Sequence, residues 1–100
     1  MATITKALAR GAFATTSATL YTVPSSTTAV VTNIVITNTA SSAGTFTLGL
    51  NGTSLATTVS VAANSITAID LKQVLSATNT ITGLASAVTI NYHISGVEIS

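Results

Sequence analysis

From Thr45 to Asn51 the chain alternates without a break. Phe46, Leu48 and Leu50 fall on one side; Thr45, Thr47, Gly49 and Asn51 fall on the other. Successive side chains of an extended strand point to opposite faces, so this pattern predicts a half-buried strand. Asn51-Gly52 comes next, a dipeptide that accepts the positive φ of a two-residue hairpin turn. Leu55, Val59 and Val61 then mark a return strand on one apolar face, paired antiparallel with the first.

The same reading extends in both directions. "SATLYTV" predicts a short strand that ends at Pro24-Ser25-Ser26, and "TAVVTNIVITN" the longest one. In the longest, Val30, Ile34 and Ile36 share one face, while Val31 and Val35 lie on the other among Asn33 and Thr37. A strand apolar on both sides is expected to be central or to meet a second surface. Thr39 to Gly44 reads as a loop, and "NSITAIDL" as a strand begun by Asn64. Leu71, Val74 and Leu75 have i, i+3, i+4 spacing and Asp70 can cap them, which predicts one short helical turn near residues 71–76. "TITGL" is a short strand. At the C-terminal end Val88, Ile90, Tyr92 and Ile94 face in, and Thr89, Asn91, His93 and Ser95 face out. At Gly96 the apolar set flips to Val97 and Ile99, as at a β-bulge. Seven or eight short strands with frequent turns predict an all-β antiparallel sandwich, jelly-roll-like, as a single domain over residues 1–100. Residues 1–14 are either an N-terminal arm or a first strand.

Composition changes this picture at one point. From Tyr21 to Asn38 not one side chain is charged, and the whole chain has three Lys and Arg and two Asp and Glu. Charged residues make up 5% of it, against about 25% in ordinary soluble domains. The wealth of Val, Ile and Thr excludes disorder as the reason. These hydroxyl-bearing strands stay compatible with water without ions. A net charge of +1 excludes nucleic acid as a main partner, since neutralising phosphates takes clustered cations. It also excludes electrostatic membrane docking. With no cysteine there is no disulfide or thiolate chemistry. "MATITKALARG" has no apolar signal core and no apolar run is long enough to span a bilayer, so neither a Sec signal nor a membrane helix is expected.

Candidate chemistry is sparse. Ser95, His93 and Asp70 can be assembled on paper into a Ser-His-Asp set, but no nucleophile elbow or glycine-rich oxyanion loop accompanies them. A solvent-facing His on a strand is the simpler reading. One His and two acids do not make a metal site, and no phosphate loop or cofactor motif is present, so no enzyme activity and no cofactor are expected. Asn51-Gly52-Thr53 is a glycosylation sequon, read more simply as the hairpin turn. The Thr-x-Thr triplets at Thr3, Thr45 and Thr80 are too irregularly spaced for the stacked ranks of ice-binding solenoids. Lys6 and Arg10, two of the three cations, lie in one N-terminal segment.

"ATLYTVPSSTTAVVTNIVITNTASSAGTFTLGLNG", followed by "DLKQVLSATNTITGLASAVTINYHISGVEIS", resembles a recurrent small virion protein of tailed bacteriophages. In that group a "LYTVP" step precedes the "TAVVTNIVITN" strand, and a "VLSATNTI" step precedes a terminal "HISGVEI" strand. The resemblance spans about residues 18 to 100. It implies a non-enzymatic structural protein of the capsid decoration (cement) or head or tail fibre type. Small size and the lack of a fibre-like repeat favour decoration. The expected protein is a homo-oligomer, a trimer, that binds the major capsid protein on the virion surface after assembly in the bacterial cytoplasm. The alternative is a receptor- or glycan-binding fibre module, for which Tyr21 and Tyr92 are the candidate stacking residues. A bacterial surface or pilus subunit is a more distant choice. In the N-terminal segment Ile4 and Leu8 are the expected apolar contacts to the capsid or a neighbouring subunit, with Lys6 and Arg10 on their rim.

Overall fold

The computed structural model describes residues 3–100 of the chain, folded into eight strands. These are β1 (Thr3–Ala12), β2 (Ala18–Thr22), β3 (Thr28–Asn38), β4 (Gly44–Leu50), β5 (Thr53–Val61), β6 (Ser65–Leu75), β7 (Thr80–Ala85) and β8 (Ile90–Ile99). One sheet has the order β1-β8-β3-β6 and the other β2-β7-β4-β5, with every pairing antiparallel. Apart from the β4–β5 hairpin, successive strands alternate between the two sheets, as in a jelly roll. Met1 and Ala2 lie outside the described residues.

The core lies between the sheets. Val31, Ile34, Ile36, Ile90 and Ile94 come from the first sheet, and Phe46, Leu48, Val61 and Ile81 from the second; each is fully buried or within 1% of it. Phe13, just past β1, closes one side. Its ring stacks on Phe46 at 6.4 Å between centroids and meets Tyr92 edge-on at 5.1 Å. Asn51 and Gly52 both take positive φ, 48° and 84°, and join β4 to β5 in the predicted hairpin.

The segment with helical spacing is strand. β6 runs unbroken to Leu75, and no helix forms among the described residues. Between Asp70 and Gln73 β6 takes three steps while β3 takes two, from Asn33 to Val31. The extra residue is a bulge. It rotates the last residues of the strand, so that Leu75 is buried and Val74 is 66% exposed. Of the i, i+3, i+4 set, Leu71 and Leu75 pack on the core and Val74 points outward, so the spacing marks no common face.

Bulges also correct the assignment of faces. Against β8, β3 holds one extra residue, Thr32, and β1 one extra residue, Leu8. With the β6 bulge they form a line across the first sheet at the level of Ile94 to Gly96. Hence Val31, not Val30, joins Ile34 and Ile36 in the core, and Val30 faces out. β8 itself keeps an even period through Gly96. The register shift sits in its neighbours, so Val97 and Ile99 face outward and Glu98 turns in between the sheets. Gly96 is required there: a Cβ would lie 2.2 Å from the Val30 carbonyl oxygen and 3.0 Å from Leu8. Val88, expected on the inner face of a strand, lies in the turn before β8 and is 65% exposed.

Two polar clasps join the sheets at opposite ends. Asn38, 3% exposed, donates through Nδ2 to the carbonyls of Ser42, Val61 and Ala62 at 3.0, 3.4 and 3.3 Å, and its Oδ1 accepts from Ala40 N at 3.0 Å. At the other end the Glu98 carboxylate accepts from Tyr21 Oη on β2 and, at 3.2 Å, from Lys6 Nζ on β1.

The four free edges are all irregular. β1 carries the Leu8 bulge, β2 has an extra residue between Thr19 and Tyr21, β6 carries the bulge beside Asp70, and β5 has two register breaks against β4. Four of the five charged side chains also lie on edge strands: Lys6 and Arg10 on β1, Asp70 and Lys72 on β6. Bulges and edge charges are devices that stop a sheet from pairing with another chain.

Candidate docking face

The two outer faces of the sandwich differ. On the β2-β7-β4-β5 sheet the outward positions include Thr19, Thr22, Thr80, Thr82, Thr45, Thr47, Ser54 and Ser60. Hydroxyls dominate this face, with Leu84 opposite Thr47 among them, and even its backbone uses one: Thr58 N donates to Thr47 Oγ1 at 3.0 Å. Of the Thr-x-Thr triplets, those at Thr45 and Thr80 lie here and that at Thr3 lies on the other sheet, so no common rank forms.

The outer face of β1-β8-β3-β6 is more apolar. Its register sets Thr5, Val97, Val30 and Val74 side by side in one row across all four strands, with Ile99 beyond. At the far end lie Val35 and Ala68, in a row completed by His93 and Arg10, and Ile66 beyond, 70% exposed. β-branched side chains brought together across strands shield one another from water only in part, so this face leaves aliphatic surface uncovered. The row between carries Ser95, Asn33 and Asp70. Asn33 Nδ2 donates to Asp70 Oδ1 at 3.5 Å. The sequence could not show this face, because no two neighbours in the Thr5–Val97–Val30–Val74 row are close in the chain. Its one local signal was the two-sided apolar pattern of β3.

The N-terminal candidates separate. Leu8 is 9% exposed and belongs to the core. Ile4 is 53% exposed at the end of the β1 edge. Lys6 is held by Glu98, and Arg10 is exposed on the outer face beside His93. The segment therefore contributes to a face of the sheet as well as to its interior.

Catalytic geometry is not assembled. Ser95 and His93 point outward on β8, and Asp70 is two strands away with Asn33 between. Among the described residues no group of three or more His, Asp or Glu side chains can hold a metal ion. Tyr21 and Tyr92 do not stand out as stacking platforms. Tyr92 packs on Phe13, and the Tyr21 hydroxyl is spent on Glu98. Burial, together with the carboxylate it bonds, raises the Tyr21 phenol well above its ordinary range. The bond from Tyr21 lowers the Glu98 carboxyl; burial opposes this and Lys6 adds to it.

No protein-family model matches the chain, and no curated protein matches it by sequence. Solved structures do match its fold. A chain of the Bacillus endospore appendages, a family of disulfide-linked pili, superimposes with a TM-score of 0.55 at 18% identity, over 98% of this chain and 88% of that one. A chain of the T13 particle of infectious bursal disease virus gives 0.55 at 11% identity, over 97% of this chain and 29% of that one. The Gx strain of the same virus gives 0.52 at 13% identity, over 97% and 30%. The chain thus spans less than a third of each virus chain but most of the appendage chain. At these identities, what the three share with it is the antiparallel β-sandwich.

Proposed function

We propose that the chain is a non-enzymatic structural protein of a tailed-phage virion, a decoration protein that binds the assembled head through the outer face of β1-β8-β3-β6. The observation that carries this reading is the contrast between the faces. One is uncharged and dominated by hydroxyls, and the other presents the aliphatic side chains of Val30, Val74, Val97 and Ile66 together with the charges of Arg10 and Asp70. With every edge bulged, association by strand addition is disfavoured and a face is left as the docking surface. The sequence resemblance supplies the partner, the major capsid protein. A sandwich of this kind also occurs in a virus particle, which is consistent with the reading. The protein acts as a homo-oligomer, a trimer, on the capsid surface. Because it binds assembled shell and not free subunits, mass action stabilises the shell, and many modest interfaces act together.

Two other readings lose support. Tyr21 and Tyr92, the residues that a glycan-binding fibre module would use for stacking, are committed to Glu98 and Phe13. A pilus of the disulfide-linked kind needs cysteine, and this chain has none.

Val74→Lys tests the face. The side chain is two-thirds exposed, so the variant keeps its fold. A desolvated, unpaired lysine would cost the interface about a hundredfold or more in affinity. The measurement is co-sedimentation with undecorated heads from the source phage. Unchanged binding of Val74→Lys and of Val30→Lys would remove the face from the proposal. Absence of the protein from purified virions would remove the function.

A further inference from the structure

We propose that Asn51 is a site of spontaneous deamidation, with water as the only co-reactant. The reaction needs a backbone nitrogen that can reach the preceding side-chain amide. Asn51 is followed by Gly52, which has no Cβ to obstruct that approach, and a Cβ built on Gly52 would meet nothing within 4 Å. Both residues are exposed. The other five asparagines differ: Asn33, Asn38, Asn64, Asn79 and Asn91 precede Ile, Thr, Ser, Thr and Tyr. Asn38 is buried with both ends of its amide bonded, and Asn33 and Asn79 have their side chains engaged by Asp70 and by Ser76 N.

The Gly52 nitrogen attacks Cγ of Asn51 and forms a five-membered imide. The Cγ–Nδ2 bond breaks, and the proton from the Gly52 N–H leaves with that nitrogen as ammonia. Water then opens the imide at either carbonyl. Cleavage at the side-chain carbonyl gives an aspartate in a normal backbone; cleavage at the main-chain carbonyl gives an isoaspartyl link routed through Cγ. The hairpin restrains the first step. Asn51 sits at φ 48°, and its N–H donates to the Thr80 carbonyl at 2.6 Å. Reaction therefore requires opening of the β4–β5 turn, an event of low free energy at an exposed edge.

The product matters because the chain has so few ions. Three cations against two acids give +1; three against three give 0. The isoaspartyl form also lengthens the two-residue turn that sets the β4–β5 register.

Purified native protein is incubated at mildly alkaline pH and mapped by peptide mass spectrometry, with a urea-unfolded sample beside it. We expect the mass gain of an amide-to-acid exchange at Asn51 before any other asparagine, slower in the native than in the unfolded chain, with isoaspartate in the product. Asn51→Gln should remove that modification and leave the rest of the map unchanged. If Asn51 stays intact in the native protein while it converts in urea, or if conversion is spread evenly over the asparagines, the proposal fails.

Discussion

Glu98 is an inward-pointing carboxylate in a protein with one other acidic side chain, Asp70. It bonds Tyr21 on the opposite sheet and Lys6 on the edge strand, so three strands meet at one ionised group. Its folded pKa lies below the unfolded value. The linked stability is therefore full above the unfolded pKa, about 4.3, and is lost as pH falls through that value toward the folded one. Tyr21 has the opposite sign: its raised pKa makes stability fall as pH rises above about 10. We expect the melting temperature to drop below about pH 4 and the Glu98→Gln variant to lose most of that drop. Glu98→Ala should cost about 1–3 kcal/mol at neutral pH, because the Tyr21 hydroxyl loses its acceptor. Thermal melts across pH decide the matter; equal acid slopes for the wild type and Glu98→Gln would show that the clasp contributes nothing.

β1 illustrates what a strand can hide. Its sequence offers Ile4, Lys6, Leu8 and Arg10 in even spacing, which reads equally well as one face of an arm. The Leu8 bulge divides that set, burying Leu8 and leaving Arg10 outside. Since β1 pairs with β8 from Thr3 to Ala12, we propose that it is part of the folding unit. Deleting residues 3–10 should abolish the cooperative melt; near-native melting with lost head binding would restore the arm. The hairpin at Asn51-Gly52 and the inner set Phe46, Leu48, Ile90 and Ile94 were legible, because turn chemistry and period two act locally. Val30, Val74 and Glu98 were not. Their orientation depends on an extra residue measured against another strand, and a single strand's pattern contains no such reference. The docking face escaped for the same reason, since its rows exist only after four separated segments pair.

At the scale of the molecule, the proposed binding through the aliphatic rows of a face that also carries Arg10 and Asp70 would have a measurable signature. Raising salt from about 0.15 M to about 1 M shortens the Debye length from about 8 to about 3 Å and weakens exposed ionic contacts. Association carried by Val30, Val74, Val97 and Ile66 should be insensitive to that change. Decorated heads titrated with sodium chloride should keep their protein, whereas steep release would point to Arg10 and Lys72 instead.

The bulged edges bear on how many copies can share a small space. A shell coated with this protein would hold neighbouring sandwiches at a local concentration far above that of the surrounding solution. Chains rich in Val, Ile and Thr and poor in charge have the composition of fibril-forming segments, and crowding would ordinarily favour their growth. Growth requires an edge on which an incoming strand can lie flat along its length. Each edge here is interrupted by at least one register break. Such breaks would make an amyloid-like composition compatible with dense surface packing, so that a coat of the proposed kind could saturate without seeding fibres.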